Sequence, residues 1–265
     1  MPTPAVSFDE IRAVAESLPA GSIVAPAIVH PRIILFAATH GIAADLPGGG
    51  PRAMTDLVDG IVAGQGLLHT LVEQADADLK LYDLALDRPT RDSRLAQAVR
   101  EFEASRATAY GMMAVEPGID IFVVSGIGVG ADLAATALIA ALLSDSNRLG
   151  AKAELIAPAL ARHGALDDPL ELMAALGGPD IAAILGVILA ARLAGIPVIL
   201  DGLAAYAAAL IALRLRPDSL SHCRFANSDI SGFNAERLGV PPVIVGTNDS
   251  PLSGVRALIS MNGAG

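Results

Sequence analysis

Three short polar segments could take part in chemistry, because each follows or closes an apolar run of strand length. Thr39-His40-Gly41 follows Arg32–Ala38, and Asp201-Gly202 ends the run that begins at Pro197. The third segment begins at Ser125, in the sequence SGIGVGAD. Ligands of open parallel sheets bind at the carboxyl ends of strands. We therefore expect the three segments to line one site.

The glycines of the third segment, Gly126, Gly128 and Gly130, favour close approach of a ligand or of another backbone. Their spacing is GxGxG and lacks the GxGxxG fingerprint of dinucleotide binding. A helix starting after them could direct N–H groups at an anion. However, Asp132 in its first turn already occupies the positive end of the helix dipole. A phosphate or ribose cradle and a tight turn imposed by helix–sheet packing both remain open.

The other two segments also have purely structural interpretations. His40 could bind a ligand or be an ordinary hydrogen-bonded residue. Asp201 could merely cap a helix over Leu203–Leu213, with Gly202 permitting the turn. Gly177-Gly178-Pro179-Asp180 resembles a helix end followed by a helix start, and needs no functional explanation.

Short apolar runs alternate along the chain with segments of helical spacing. The predicted strands are Arg32–Ala38, Leu79–Ala85, Ile119–Gly126, Pro197–Asp201 and Pro242–Gly246. The predicted helices are Ile11–Leu18, Met54–Ala75, Ser93–Ala114, Asp132–Leu143, Asp180–Ala194 and Leu203–Leu213. Strands that are apolar throughout are typical of parallel sheets covered on both faces. We therefore expect a doubly wound, mainly parallel α/β fold in a single domain over residues 1–265, with residues 1–20 as a peripheral N-terminal helix and small helical additions at the termini.

Composition excludes several classes of protein. The net charge is −10 and basic residues form no cluster, which argues against a nucleic-acid binder. The single Cys223 and the five scattered histidines predict no disulfide, no metal site and no cofactor. Mean hydropathy is positive, yet prolines and charges interrupt every apolar run well below the roughly 18 residues of a membrane span. Because the N-terminus has no basic segment, we expect a soluble, cytoplasmic protein.

Several segments together resemble the nicotinate-nucleotide:dimethylbenzimidazole phosphoribosyltransferase family. The most similar stretch runs from Gly177-Gly178-Pro179-Asp180 through Pro197-Val-Ile-Leu-Asp-Gly202 to Ala212. Ala37–Ile42 is similar to the family's A-D-H-G-V strand end, and Ser125–Leu133 to its G-E-M-G-I-G-N-T-T loop. The resemblance implies a homodimer that transfers phosphoribose from nicotinate mononucleotide to a benzimidazole-type base. It also implies that Gly178 lines the site and that Lys152 is the counterpart of a phosphate-binding lysine.

This sequence departs from the family pattern at positions important for chemistry. Gly126 replaces a glutamate, and residues 131–133 replace the Asn-Thr-Thr that holds the nucleotide phosphate. Thr247 or Pro251, depending on the register, replaces the glutamate expected as the general base. Asp249 is the only carboxylate near that position and is therefore the candidate base. A non-catalytic nucleotide- or base-binding protein of the same fold is the alternative function.

Overall fold

A computed structural model describes residues 7–21, 27–47, 51–84, 86–145, 149–244 and 251–262. At its centre is a six-stranded sheet in which every pair of neighbours is parallel, in the order β2-β1-β3-β4-β5-β8. The strands of this sheet are β1 (Pro31–Ala37), β2 (Asp78–Asp83), β3 (Ile121–Ile127), β4 (Val198–Asp201), β5 (Cys223–Asn227) and β8 (Pro242–Ile244). The short strands β6 (Asp229–Ile230) and β7 (Phe233–Asn234) form a separate antiparallel hairpin.

Helices cover both faces of the sheet, which confirms the predicted doubly wound α/β fold. They are α1 (Phe8–Glu16), α2 (Pro51–Val62), α3 (Leu67–Gln74), α4 (Glu101–Met113), α5 (Ala131–Leu143), α6 (Ala153–His163), α7 (Pro169–Leu176), α8 (Pro179–Ala194), α9 (Gly202–Leu215) and α10 (Leu252–Asn262). None of the described helices is both long enough and apolar enough to cross a membrane.

Alternate strand residues feed two cores, as the period of two in a strand requires. Ile34, Phe36 and Phe122 lie in the larger core, with α1 and α4 to α9. Ile33 and Val123 lie in the smaller core, which contains side chains of α2, α3 and α10. The central strands β1 and β3 are therefore buried on both faces, and their near-continuous apolar sequences follow from this burial.

The strand order reverses between β1 and β3. After β1 the chain adds β2 on one side, and β3, β4 and β5 are added on the other. In a doubly wound fold such a reversal separates the loops that leave the two strands and opens a crevice at their carboxyl ends. The loops after Ala37 and Ile127 leave the sheet at this switch point.

Two predicted helices are shorter in the structure. Met54–Ala75 is divided into α2 and α3, because Gly64 and Gly66 adopt positive φ angles of 69° and 87°. Ser93–Ala114 becomes helical only at Glu101. Its first part is not helical because the N–H groups of Ala98 and Val99 donate to carbonyls near the end of α7 instead.

Other predicted elements agree closely with the structure. The N-terminal helix forms with Ser7 as its N-cap and both hydrogen bonds of the capping box. The second and last predicted strands form as β2 and β8, although Ala85, Val245 and Gly246 lie outside the described residues. The sequence interpretation did not include α6, α7, β5, α10 or the β6–β7 hairpin.

Candidate active site at the carboxyl edge of the sheet

The structure brings the three predicted segments to one edge of the sheet. Ser125 lies between Leu35 of β1 and Asp201 of β4 in the strand register. β3 extends through Ile127, so only residues 128–130 form the loop before α5. The glycine segment therefore lies beside Asp201 at the carboxyl edge, as expected from the sequence.

A buried histidine–aspartate pair lies at the switch point. His40 Nε2 is 3.3 Å from Asp180 Oδ2, and the two side chains are 1% and 0% exposed. His40 Nδ1 and Asp180 Oδ1 have no hydrogen-bond partner among the described residues. A buried polar atom without a partner costs about 1–3 kcal/mol. The pair therefore occupies an energetically unfavourable position at the edge where ligands bind in this class of fold.

Gly178 permits the His40–Asp180 pair to form. A Cβ atom on Gly178 would lie 2.3 Å from His40 Cε1, 2.8 Å from Asp180 Oδ1 and 2.9 Å from His40 Nδ1. Both unpartnered atoms consequently face the Cα atom of Gly178, and neither reaches solvent. In this conformation the pair positions the end of β1 against the start of α8.

The glycine loop is also shaped by close packing. A Cβ on Gly128 would lie 1.9 Å from the Ala38 carbonyl oxygen, and one on Gly130 would lie 3.1 Å from His40 Cβ. Gly130 has a φ of 79°, in the left-handed region. A Cβ on Gly126 would meet Ala204 Cβ at 2.7 Å and Asp180 Oδ2 at 3.1 Å. Helix–sheet packing thus accounts for these three glycines without a bound ligand.

Asp201 connects β4 to the C-terminal helix. Its carboxylate accepts a hydrogen bond from Ser253 Oγ at 2.5 Å and from the Gly254 N–H at 2.7 Å. The structural alternative, that Asp201 merely caps the helix after it, does not hold, because its side chain makes no cap hydrogen bond to α9. Gly202 has a φ of 86°, so its predicted role in the turn agrees with the backbone. The negative charge of Asp201 instead stabilises the N-terminal turn of α10.

Thr39 and Gly41 hold the loop that follows β2. Thr39 Oγ1 donates to the Leu86 carbonyl at 3.1 Å, and the Thr39 carbonyl accepts from the Thr90 N–H at 3.0 Å. The Gly41 N–H donates to Thr90 Oγ1, and a Cβ at Gly41 would lie 2.2 Å from the Thr90 carbonyl oxygen. These hydrogen bonds hold the loop after β2 against the segment that contains His40.

A large cavity opens beside this attachment. It has a volume of about 790 Å³ and lies between the end of β2, Leu84, residues 87–91 and α4. Thr90 and Pro179 line it: Thr90 accepts a hydrogen bond from the Gly41 N–H, and Pro179 precedes Asp180 in the chain. The buried side chains of His40 and Asp180 do not themselves line it. Burial raises the pKa of Tyr82 in its wall, with a smaller contribution from Glu116. The pKa of the Glu103 carboxyl is lowered, chiefly by its hydrogen bond from Arg100.

The remaining predicted site residues, Lys152 and Asp249, do not lie among the described residues at the ends of β1, β3 and β4. Lys152 lies next to α5, with Nζ 3.3 Å from Thr136 Oγ1 and 3.9 Å from Asp132 Oδ2. Its ammonium group is therefore engaged with the first half of the helix that follows the glycine loop. Asp249 and Thr247 lie outside the described residues. Pro251 immediately precedes α10, the helix whose N-terminal turn holds Asp201.

Sequence reasoning missed Asp180 as a residue of this site. The local pattern GGPD was sufficiently explained by a helix boundary, whereas the partner of Asp180 lies 140 positions away. The available signal was an acid directly after the Gly177-Gly178 pair, within the stretch that carried the family resemblance. Within the described ranges, no three His, Cys, Asp or Glu side chains are grouped as metal ligands.

Comparison with known proteins identifies the family of this chain. A phosphoribosyltransferase family model matches residues 3–242. Nicotinate-nucleotide–dimethylbenzimidazole phosphoribosyltransferase from Rhizobium johnstonii is 36% identical over 213 residues, which are 75% of this chain and 63% of that protein. The chain thus spans less than two thirds of the length of that relative. The protein of the same name from Agrobacterium fabrum is 34% identical over 259 residues, which are 91% of this chain and 75% of that protein.

Two solved structures from Thermus thermophilus share the fold. One is a nicotinate-nucleotide–dimethylbenzimidazole phosphoribosyltransferase with a TM-score of 0.78 and 24% identity, covering 97% of this chain and 93% of that one. The other is CobT, with a TM-score of 0.77 and 26% identity, covering 96% of this chain and 88% of that one. The resemblance recognised in the sequence is confirmed: the chain belongs to the nicotinate-nucleotide–dimethylbenzimidazole phosphoribosyltransferase family.

Proposed function

We propose that this protein transfers a phosphoribosyl group from nicotinate mononucleotide to a benzimidazole-type base, in the assembly of the cobalamin lower ligand. The bond between ribose C1 and the nicotinate nitrogen breaks, and a bond from C1 to the benzimidazole nitrogen forms. The pyridinium nitrogen leaves with the bonding electron pair and becomes neutral, so the leaving group needs no proton. The proton of the attacking benzimidazole N–H passes to a base.

The observation that carries this proposal is the similarity to the Agrobacterium fabrum nicotinate-nucleotide–dimethylbenzimidazole phosphoribosyltransferase. The two sequences are 34% identical over 91% of this chain. Two features of the structure support it: Ser125 and Asp201 are register partners on neighbouring strands, and a cavity of about 790 Å³ opens at the end of β2. That cavity is of the size that proteins use to enclose small-molecule ligands. Holding two substrates together there would provide much of the rate by proximity and orientation.

Asp249 is the proposed proton acceptor. The family glutamate is replaced in this sequence, and general-base catalysis is typically worth 10² to 10⁴ in rate. Asp249 is the carboxylate nearest in sequence to the replaced position. The described residues before and after its segment both lie beside strand ends: Ile244 pairs with Asn227 of β5, and Gly254 binds Asp201.

His40 and Asp180 are proposed as positioning residues. Their contact holds the start of α8 against the end of β1. It therefore also fixes the position of Pro179, the first residue of α8, which lines the cavity. We further propose nucleotide binding along Ser125–Gly130, Gly178 and Lys152, assembly as a homodimer, and a cytoplasmic location. The single-domain organisation over residues 1–265 likewise stays a prediction.

The direct test is turnover by the purified protein. Incubation with nicotinate mononucleotide and 5,6-dimethylbenzimidazole should release free nicotinate and form a benzimidazole nucleotide, both measured by chromatography. Omission of the benzimidazole is the control, because it separates transfer from hydrolysis of the nucleotide. Binding of either ligand without release of nicotinate would contradict the proposal and favour the non-catalytic binding protein.

A further inference from the structure

The described lining of the cavity beside the candidate site has a small excess of positive charge, although the protein is acidic. The chain carries 18 Lys and Arg against 28 Asp and Glu, for a net charge of −10. The lining nevertheless contains more arginines than acids. They are Arg88, Arg91, Arg100 and Arg106, against Asp83, Asp87 and Glu103.

Each of these acids already has a partner. Glu103 accepts a hydrogen bond from Arg100 Nη2 at 2.7 Å and another from the Arg100 backbone N–H at 2.7 Å. Asp87 lies 3.7 Å from Arg88 Nε. Asp83 Oδ1 accepts from the Leu86 N–H at 2.9 Å. The lining acids therefore neutralise Arg88 and Arg100 more directly than the other two arginines.

Arg91 and Arg106 make no salt bridge within the part of the chain that the structure describes. Arg91 still lies close enough to Glu103 to contribute to lowering the pKa of that carboxyl, after the larger effect of Arg100. Arg106 lies over the Phe102 ring, 5.5 Å from the centroid, and Arg100 lies over the same ring at 4.9 Å. Stacking on an aromatic ring leaves the N–H groups in the guanidinium plane free to donate.

We propose that this cavity binds the phosphate group of a phosphorylated ligand, with Arg91 and Arg106 as its principal donors. A guanidinium group offers parallel N–H donors that match phosphate oxygens, and such charge-assisted pairs are among the stronger hydrogen bonds. Lys152, the cation that the family resemblance assigns to the phosphate, contacts Asp132 and Thr136 and does not line this cavity.

Two sources of this phosphate fit the same chemistry. One is the nucleotide substrate, which rests on the proposed function and on the position of Thr90 and Pro179, two lining residues next to the segments of His40 and Asp180. The other is a separate phosphorylated small molecule that occupies the cavity alongside the substrates. Competition between inorganic phosphate and the nucleotide distinguishes them.

The test is calorimetric binding to the Arg91→Gln/Arg106→Gln double variant and to wild type. The probes are nicotinate mononucleotide, inorganic phosphate and nicotinate riboside, which differs from the nucleotide only in lacking the phosphate. Arg237→Gln is the matched control, because Arg237 is exposed and does not line the cavity. We expect the double variant to bind the nucleotide and phosphate about tenfold or more weakly. Binding of the riboside, and all binding by the control, should be unchanged.

The outcomes separate this proposal from the proposed function, since binding is measured without turnover. Arginine-dependent binding of phosphate that competes with the nucleotide supports the substrate as the source. Arginine-dependent binding without competition supports a separate phosphorylated ligand, even if no transfer activity is found. Equal affinity of the double variant and wild type for both phosphate compounds would overturn the proposal, whether or not the protein is an active transferase. So would the absence of phosphate binding by wild type.

Discussion

Asp201 connects the candidate site to the C-terminal helix, so its loss should first affect stability. Asp201→Asn removes the charge from hydrogen bonds to Ser253 and Gly254, and charge-assisted bonds of this kind contribute about 1.5–3 kcal/mol. We expect a loss of that order in the free energy of unfolding, measured in urea. Asp249 lies in a sequence typical of a turn, and Asp249→Asn should change turnover with little effect on stability. Equal destabilisation by the two substitutions would contradict this assignment.

Gly178 should tolerate no side chain, although its backbone is extended. A Cβ at this position would overlap His40 Cε1 at 2.3 Å and crowd Asp180 Oδ1 at 2.8 Å. Overpacking of this kind typically costs about 1–3 kcal/mol. Gly178→Ala should therefore lower the melting temperature and weaken nucleotide binding, because the His40–Asp180 pair must separate. A variant that melts and binds like wild type would show that the pair adjusts without consequence.

For individual residues, the sequence indicated where chemistry could occur better than how each side chain is used. Thr39, His40 and Asp201 were placed at strand ends because apolar runs before them were easily recognised. Asp201 accepts hydrogen bonds from Ser253 and Gly254, which belong to a helix more than 50 positions later in the sequence. Such pairings arise only when distant segments fold together, and no local pattern contains them.

Among the elements, α4 and α8 depend on glycine for their close contact. A Cβ on Gly111 would lie 1.8 Å from the Ala183 carbonyl oxygen, and one on Gly186 would lie 2.0 Å from the Thr108 carbonyl oxygen. Backbones this close cannot accept a methyl group unless the helices move apart. We expect Gly111→Ala and Gly186→Ala each to destabilise the protein by at least about 1–3 kcal/mol.

Gly60→Ala is the matched control for these substitutions. Gly60 is also helical, and no atom lies within 4 Å of the position of its Cβ. Alanine should therefore stabilise α2 by about 0.5–1 kcal/mol through helix propensity alone. Denaturant midpoints of the three variants measure the contrast. Gly111→Ala and Gly186→Ala variants that are as stable as the Gly60→Ala variant would argue against the close contact of α4 and α8.

Hydrophobic patterning predicted the order of the helices and strands that it detected. It did not predict where some of them begin and end. Buried runs such as Arg32–Ala38 gave the strands, because a strand buried on both faces is apolar throughout. The start of α4 was misplaced because residues with good helical spacing instead donate hydrogen bonds to α7. The strand β5 (CRFAN) contains an exposed arginine and an asparagine, which concealed it within a polar region.

For the whole molecule, stability should fall on mild acidification because of His222. Burial, assisted by Arg192, lowers the pKa of this histidine to about 4 from its ordinary value of 6.5. Between about pH 6.5 and pH 4, His222 is therefore protonated in the unfolded chain and neutral in the folded protein. Stability is fully present above pH 6.5 and is lost progressively as the pH falls toward 4. The loss from this group between about pH 7 and pH 5 is about 2 kcal/mol.

The His222→Gln variant isolates this contribution. Carboxyl groups with lowered pKa values, such as Asp168, also destabilise the fold on acidification, and they remain in the variant. Urea unfolding at the two pH values should therefore show a smaller drop for the variant than for wild type. An equal loss of unfolding free energy in the variant and in wild type would mean that His222 takes up its proton in the folded protein as readily as in the unfolded chain.

We expect this chain to transfer a phosphoribosyl group, although the glutamates of the family pattern are replaced in its sequence. The most direct measurement uses nicotinate mononucleotide labelled with ¹³C at ribose C1, incubated with 5,6-dimethylbenzimidazole and followed by NMR. We predict that the label moves from the nicotinate nucleotide to a benzimidazole nucleotide, while unlabelled nicotinate is released in equal amount. A label that stays on the nicotinate nucleotide, or that appears only in free ribose 5-phosphate, would contradict transfer by this chain.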